Sequence, residues 1–447
     1  MIDEKVLLLT YDYKLGLRDN KLIRYLKGSL GVAYLPWDIY LYEPLKKRFA
    51  EVVIYDYLER MMEVGVRQMN EEVISLVMRD NPKYVLWTSW QYDIQQSTLN
   101  AIRDVGAIVV GWFFDDDWRF EDYSKWYIPS LDYCVTNAFD AVPKYQKCGA
   151  RAVDTTPNTG IAVERDWSNI EEDYDVTFVG TKDHASRQFY IDSLTKAGIT
   201  TKVFGDGWGG YISFDEMIKV FQNSKINLNF SKVVARNNSK MQIKGRVFQV
   251  CMAGGFLLTE YAPGLEKYFD IDKEIVCFKD DVEMVDKIQY YLSHDEERLM
   301  IAKAGWRKSC REHTSNYLVA DVFEKIEVDI AARGHKKQDI RHELRMSSGA
   351  RMAASNYHFR WGRAFLEQNA QRQRWKESLE LSIAYNPVNV SAWCYRFIGL
   401  LPRFVRPILF HLYANGENMV SSIRECLYKV GWIRKAKSTL NNMLLRH

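Results

Sequence analysis

Three consecutive aspartates, Asp115, Asp116 and Asp117, break the run GWFFDDDWRF at residues 111–120. Asp115 and Asp117 are spaced as an Asp-x-Asp pair, whose oxygens suit a hard divalent cation. One carboxylate beside Trp112, Phe113 and Trp118 could instead have a raised pKa and act as a general base. In a third reading the run orders a loop through hydrogen bonds or pairing with Arg119. The fourth is a solvated turn at a strand end.

A second constellation is basic. In VTFVGTKDHASR an apolar run ends at Gly180 and Thr181, and a helix is expected to begin near Ser186, with Arg187 next. Glycine admits a ligand close to the backbone, and a helix N-terminus offers free N–H groups to an anion. The segment INLNFSKVVARNNSKMQIKGRVFQVCMAGG ends an apolar run at Asn229 and Ser231, then carries Lys232, Arg236, Lys240 and Lys244 on a polar loop. Arg246 and Gln249 follow on one face of the next helix. Cations on a strand-end loop leading into a helix suit a diphosphate; the plain alternative is a solvated basic loop. Gly254 and Gly255 permit a tight turn into FLLTE. His184 could touch the same phosphates or lie on the surface, His294 reads as exposed, and His313 as capping or packed. No Ser/His/Asp arrangement and no metal-ligand cluster is legible.

These residues need a frame. Apolar runs at 5–10, 51–57, 83–89, 106–116 and 131–137 alternate with helical patterns at 70–82, 93–104 and 140–149. Continuous apolar strands between helices imply a parallel sheet covered on both faces. The acidic stretch WSNIEEDYD has no periodicity and reads as a boundary. The pattern then restarts, with strands at 174–180, 200–208, 225–231, 256–260 and 274–280 and helices at 186–198, 213–224, 244–255 and 282–313. Ser213, with Glu216 three residues on, is a capping box. The expected organisation is two Rossmann-like doubly wound units, 1–168 and 169–330, facing a cleft, and a basic α-helical extension, 331–447. Open parallel sheets bind ligands beyond the carboxyl ends of their strands. The loops to watch are therefore 10–20, 88–93, 114–120, 180–187, 205–211 and 230–246.

The composition agrees with this size. The 447 residues are 47% hydrophobic and 27% charged, enough for two or three domains with large cores. Aromatics, at 14%, suit ligand stacking as well as cores. Seven scattered cysteines with no Cys-x-x-Cys pair argue against a disulfide framework or a zinc site and for a reducing compartment. The first apolar run reads as a strand and not a secretion signal. No uninterrupted apolar segment reaches the length of a membrane span.

Charge is uneven. Residues 331–447 hold 20 Lys and Arg against 7 Asp and Glu, although the whole chain is only +3. Such a tail suggests an anionic partner surface, but it carries no recognisable nucleic-acid motif. Residues 357–387 resemble a single tetratricopeptide-type helix pair. The stretch 397–413 is apolar but broken by Pro402, Arg403, Arg406 and Pro407, so it could lie on a bilayer and not cross it.

Several short segments together resemble one family. Arg246-x-Phe248, the paired glycines, LLT at 257–259, PGLE at 263–266, KEIVCF at 273–278 and EHT at 312–314 are similar to the spore-maturation (CgeB-like) branch of the GT-B glycosyltransferases. VTFVGTKDHASRQFYI, KVFGDGW, INLNFS and WFFDDDWRF followed by LDYCVTN match its other segments. The resemblance covers roughly residues 80–315. The tail after 340 looks more like the helical extensions of cell-surface polysaccharide enzymes.

The resemblance implies a nucleotide-sugar donor on the second unit and a glycan acceptor on the first, with neither cofactor nor metal. Gly180, Thr181 and Arg187 would lie near the phosphates, and Lys244 and Arg246 would offset the leaving group's charge. Asn229, Ser231, Lys240, Gln249, Gly254 and Gly255 complete the expected donor side. Gly16, Trp90, Trp118 and Arg119 would serve the acceptor. Asp115, Asp116 or Asp117 would carry the acceptor chemistry, their place in the first unit counting against a metal site. Related sequences usually have Glu where this chain has Gln249. Two rivals remain: a non-catalytic glycan- or nucleotide-binding scaffold and a nucleotide-sugar epimerase. The expected location is cytoplasmic, with the basic tail at the inner membrane face, near lipid-linked acceptors, or against partner glycosyltransferases.

Overall fold

The computed structural model describes residues 2–11, 38–157, 161–182, 186–205, 207–210, 212–235, 238–334, 344, 346–368, 372–401 and 406. Gly16, His184 and Arg236, and most of the 397–413 stretch, lie outside these residues. The first sheet is built from Ile2–Thr10 (β1), Phe49–Asp56 (β2), Tyr84–Thr88 (β3), Ile108–Phe113 (β4), Tyr133–Thr136 (β5) and Ala152–Asp154 (β6). Its order is β2-β1-β3-β4-β5-β6, all parallel. The second uses Tyr174–Val179 (β7), Thr201–Phe204 (β8) and Ser224–Asn229 (β9). A hairpin, Lys232–Ala235 (β10) and Asn238–Met241 (β11), follows, then Leu257–Glu260 (β12) and Val276–Phe278 (β13). The second sheet's order is β13-β12-β9-β7-β8, again parallel.

Every residue of β3, β4 and β5 is buried, which requires cover on both faces and accounts for their unbroken apolar runs. The fold is thus α/β, with two doubly wound parallel sheets and a helical C-terminal part. In each sheet the strand order reverses once, between β1 and β3 and between β7 and β9. Loops leaving neighbouring strands on the two sides of such a reversal diverge, and the crevice between them is where ligands bind. The helix Phe214–Gln222 begins at the expected Ser213/Glu216 capping box.

Packing assigns some segments differently from the sequence-based division. Residues 161–168 already belong to the second unit: Val163 N–H bonds Met252 O at 3.1 Å, and Trp306 Nε1 bonds Val163 O at 3.0 Å. The helix Ser315–Arg333 returns to the first sheet. Its Phe323 ring meets Phe49 at 4.9 Å and Tyr84 at 5.4 Å, both edge-on. The helices Ser348–Glu367, Arg372–Tyr385 and Val390–Ile398 continue that cover, and buried Trp361 and Trp375 share a core with the first sheet. Among the described residues no helix is long and apolar enough to cross a membrane.

Because Phe323 closes the first sheet from a distant part of the chain, Phe323→Ala is expected to cost about 3–5 kcal/mol. Calorimetry should show the loss, and hydrogen exchange should place it in β1, β2 and β3 and not in β7–β13.

Candidate functional site

The acidic run sits where β4 must turn at once into a helix. Asp115 takes a left-handed conformation, φ 63°, a region Asp tolerates better than most residues. Its carbonyl accepts from Trp118 N at 3.1 Å and Arg119 N at 3.0 Å, which starts the short helix Asp116–Arg119. The three carboxylates then part. Asp116 is fully buried and accepts hydroxyl bonds from Thr136 at 2.7 Å, Tyr145 at 2.8 Å and Ser124. Burial raises its pKa and the three hydroxyls oppose that. Both of its oxygens are engaged, so Asp116 pins the turn to β5 and is not free to exchange a proton. Asp115 and Asp117 face the other way, across the cleft.

Arg119 does not pair with the run. It donates to Trp90 O at 2.6 Å and lies 4.2 Å over the Tyr123 ring. Trp90 packs on Tyr11 at 4.8 Å, so Trp90 and Arg119 are braces for the strand-end loops. Trp118 is 41% exposed and is the indole of this loop that a ligand could reach.

The stretch read as a polar loop is the β10–β11 hairpin of the second unit, and its returning strand spans the cleft. Lys240 Nζ bonds Asp117 O at 2.6 Å. Gln242, buried, donates from Nε2 to Asp115 Oδ1 at 2.7 Å and to Asp117 Oδ2 at 2.9 Å, and its Oε1 accepts from Lys244 Nζ. Burial, then the charges of Asp140 and Asp115, push Asp117 up to about 6 against the pull of Gln242.

Beyond Gln242 three cations gather at the ends of β7 and β9, on the two sides of the strand-order reversal. Arg187 folds back to donate to Thr181 O at 2.6 Å and Thr181 Oγ1 at 3.0 Å. Gly180 allows this: a Cβ there would lie 2.7 Å from Phe178 and 3.3 Å from the Arg187 guanidinium. Arg246 donates to Gln249 Oε1 at 2.7 Å. Among the described residues none of Arg187, Lys244 and Arg246 forms an ion pair with a carboxylate. Burial pushes Lys244 down to about 8, Asp115 pulling it up and Arg187 pushing it further down. Burial pushes Arg187 and Arg246 down to about 10, and Arg187 adds to the effect on Arg246. The helix Gly245–Met252 begins here, its N-cap Lys244 making no side-chain cap.

Other expected donor residues lie deeper or elsewhere. Asn229 bonds Thr259 Oγ1 at 2.9 Å, and Ser231 Oγ bonds Glu260 O at 2.7 Å, so both hold the strand ends together. Gly254 and Gly255 precede β12, at the opposite end of the strands from the cations. A Cβ on Gly254 would meet Arg165, and one on Gly255 would meet Asn227 and Phe221 O. Two residues escaped the sequence reading. Buried Glu260 accepts from Ser231 N at 2.8 Å, Lys232 N at 3.0 Å and Tyr190 Oη at 2.9 Å, and so shapes the turn into the hairpin. Gln242 was the other. The signals were a carboxylate ending the apolar FLLT run and paired β-branched residues beside an Asn-rich turn. Among the described residues no group of three or more His, Cys, Asp or Glu side chains is arranged to hold a metal ion.

Residues 187–324 match the model of a family described as glycosyl transferase-like. That segment includes Arg187, Gln242, Lys244 and Arg246. No curated protein matches the chain. Among solved structures, the chain is similar to Anabaena HepE in complex with UDP-glucose, at 10% identity and TM-score 0.49, over 73% of this chain and 100% of that one. It is also similar to sucrose-phosphate synthase from Thermosynechococcus elongatus, at 8% identity and TM-score 0.48, over 74% and 100%. The pneumococcal O-GlcNAc transferase GtfA in complex with UDP and GlcNAc is a third, at 11% identity and TM-score 0.39, over 59% and 60%.

The aspartates should separate by experiment. Asp116→Ala leaves three buried hydroxyls without their acceptor and is expected to cost about 3 kcal/mol or more. Asp117→Asn should do the reverse in alkaline solution. A carboxyl raised in the folded state stabilises the fold below its unfolded pKa, and that contribution is lost as pH rises through about 6. Asn cannot ionise, so the variant should exceed wild type by about 1 kcal/mol at pH 7.5, screening included, and converge with it near pH 4. Urea melts at several pH values read both effects.

Proposed function

We propose that the protein acts as a glycosyltransferase that moves a sugar from a nucleotide-sugar donor to a hydroxyl of a glycan acceptor. The observation carrying this reading is the set Arg187, Lys244 and Arg246: one buried and two half-buried cations, each desolvated enough to lower its pKa and without a carboxylate partner among the described residues, inside the glycosyl transferase-like segment. A donor diphosphate would supply the charge this pocket lacks. As the sugar–phosphate bond breaks, negative charge grows beside cations already in place, so their ordering cost has been met beforehand. These side chains would do the work a metal does elsewhere, hence metal-independent transfer.

Asp117 would be the general base for the acceptor. It lies across the cleft from the cations, and its raised pKa suits proton uptake nearer to neutral pH than an ordinary aspartate's. Trp118 would offer the acceptor an aromatic face. The CgeB-like assignment rests on the residues quoted for it, from Arg246 to Thr314. A role in surface polysaccharide at the inner membrane face rests on the basic balance of 331–447. HepE has been crystallised with UDP-glucose, which makes UDP-sugars the first donors to try. A non-catalytic scaffold keeps one observation in its favour: Gln249, at the position where the resemblance leads one to expect Glu, has its amide oxygen accepting from Arg246.

A thermal-shift screen of nucleoside diphosphates and nucleotide-sugars tests the reading. A true ligand at 100 times its Kd stabilises by about 2.7 kcal/mol. Arg246→Ala should abolish the shift and the release of nucleoside diphosphate during turnover. Binding without any turnover across glycan acceptors would favour the scaffold; no shift with any nucleotide would sink the donor site itself.

A further inference from the structure

We infer that Gln242 is a positioning residue for the acceptor side, supplied across the cleft by the second unit, whose amide holds Asp115 and Asp117 together and aims Asp117 at the acceptor hydroxyl. The inference rests on the glycosyltransferase reading for what Asp117 does, and on geometry for what Gln242 does.

The amide has one workable orientation. Its Nε2 has two protons, and two carboxylate oxygens receive them, Asp115 Oδ1 at 2.7 Å and Asp117 Oδ2 at 2.9 Å. Its Oε1 faces the Lys244 ammonium. Turned over, the amide would put oxygen against two carboxylates and NH₂ against an ammonium. The backbone fixes the residue as well, since Gln242 N bonds Ser231 O at 3.0 Å. Lys240, two residues earlier, bonds Asp117 O at 2.6 Å, so the same strand grips the base's main chain and side chain.

The residue type matters. Lys or Arg at 242 would hold Asp117 ionised far down the pH scale and make it a poor base. A neutral amide orders the two carboxylates against their mutual repulsion and leaves Asp117 able to take a proton. In the transfer the acceptor O–H gives that proton to Asp117. The acceptor oxygen bonds to the anomeric carbon, and the carbon–oxygen bond to the diphosphate breaks with its electron pair. The nucleoside diphosphate leaves with the charge that Arg187, Lys244 and Arg246 offset. Since Gln242 belongs to the donor unit, the base is ordered only when the two units are apposed.

Two measurements test this. The first needs no substrate: the pH dependence of the stability difference between wild type and Asp117→Asn, repeated in Gln242→Met and Gln242→Glu backgrounds. Loss of a bond to the ionised carboxyl should move the midpoint up by about one pH unit in Gln242→Met, and an added negative charge should move it further in Gln242→Glu. An unmoved midpoint in both would overturn the inference. The second uses UDP-glucose, or whichever nucleotide-sugar the melting screen returns. Gln242→Met should keep nucleoside diphosphate affinity within about threefold, while kcat for transfer falls about 100-fold. The acid limb of its pH profile should move upward. Equal losses in nucleotide affinity and kcat, or a lower kcat with an unmoved acid limb, would mean that Gln242 only supports the fold. If wild type binds no nucleotide, the transferase reading fails, and the first measurement alone decides the role of Gln242.

Discussion

Arg187 is buried and Lys244 and Arg246 are half-buried in its field, and desolvation lowers the pKa of each. Such a cluster opposes folding: every cation has lost water, and none has gained a carboxylate among the described residues. It persists because the surrounding fold over-determines it. Gly180 lets Arg187 turn back onto Thr181, and the Gly245–Met252 helix fixes Arg246 against Gln249. Glu260 does not neutralise the cluster. It is instead fully occupied by Ser231, Lys232 and Tyr190. With Glu260 engaged in shaping the hairpin turn, the three cations keep their charge for an anionic ligand.

The two sheets place opposite charges at the rims of one cleft, and a neutral amide joins them. Positive potential collects beyond β7 and β9, negative potential beyond β4. Direct pairing of Lys244 with Asp115 or Asp117 would discharge both sides. Gln242 stands between, accepting from the lysine and donating to the carboxylates. The separation lets each side keep the charge its chemistry requires. It also divides the aspartate run by function: Asp116 anchors the turn from beneath, and its neighbours face the cleft.

Much of this was legible in the sequence, for a physical reason. Strands such as VLLLT and IVVGWF are buried on both faces, so their apolar runs are unbroken, and the glycines and caps between them mark the turns. The charged residues at strand ends were therefore findable, as Arg187, Lys244, Arg246 and the aspartates show. The hairpin was not. Its strands lie outside the main sheets, carry Lys, Asn and Ser, and differ little from a polar loop until the partner strand is seen. Gln242 was invisible with it, since nothing local marks a glutamine that reaches another unit. The return of 315–333 to the first sheet also depends on tertiary packing alone. Gly254 and Gly255 show the converse error: a glycine pair fits a phosphate turn and a tight helix-to-strand turn equally well, and here Arg165, Asn227 and Phe221 crowd it.

The helical extension belongs to the same constraint. Tyr357 donates to Asp93, a buried carboxyl on the loop after β3 that burial raises to about 7. Asn70 holds that loop too, donating to Asp93 O at 2.9 Å and accepting from Gln95 N at 3.0 Å. The loop in turn presents Trp90 O to Arg119 and Gln91 O to Tyr123, which fixes the helical segment after the aspartates. Ser347 reaches the same segment through Asp122 at 3.2 Å. A chain of short contacts thus runs from the extension, through the β3 loop, to the carboxylates that meet Gln242. The extension is the outer wall behind the strand-end loops of the first sheet. The accuracy with which Asp117 faces the cations depends on helices more than two hundred residues further along the chain.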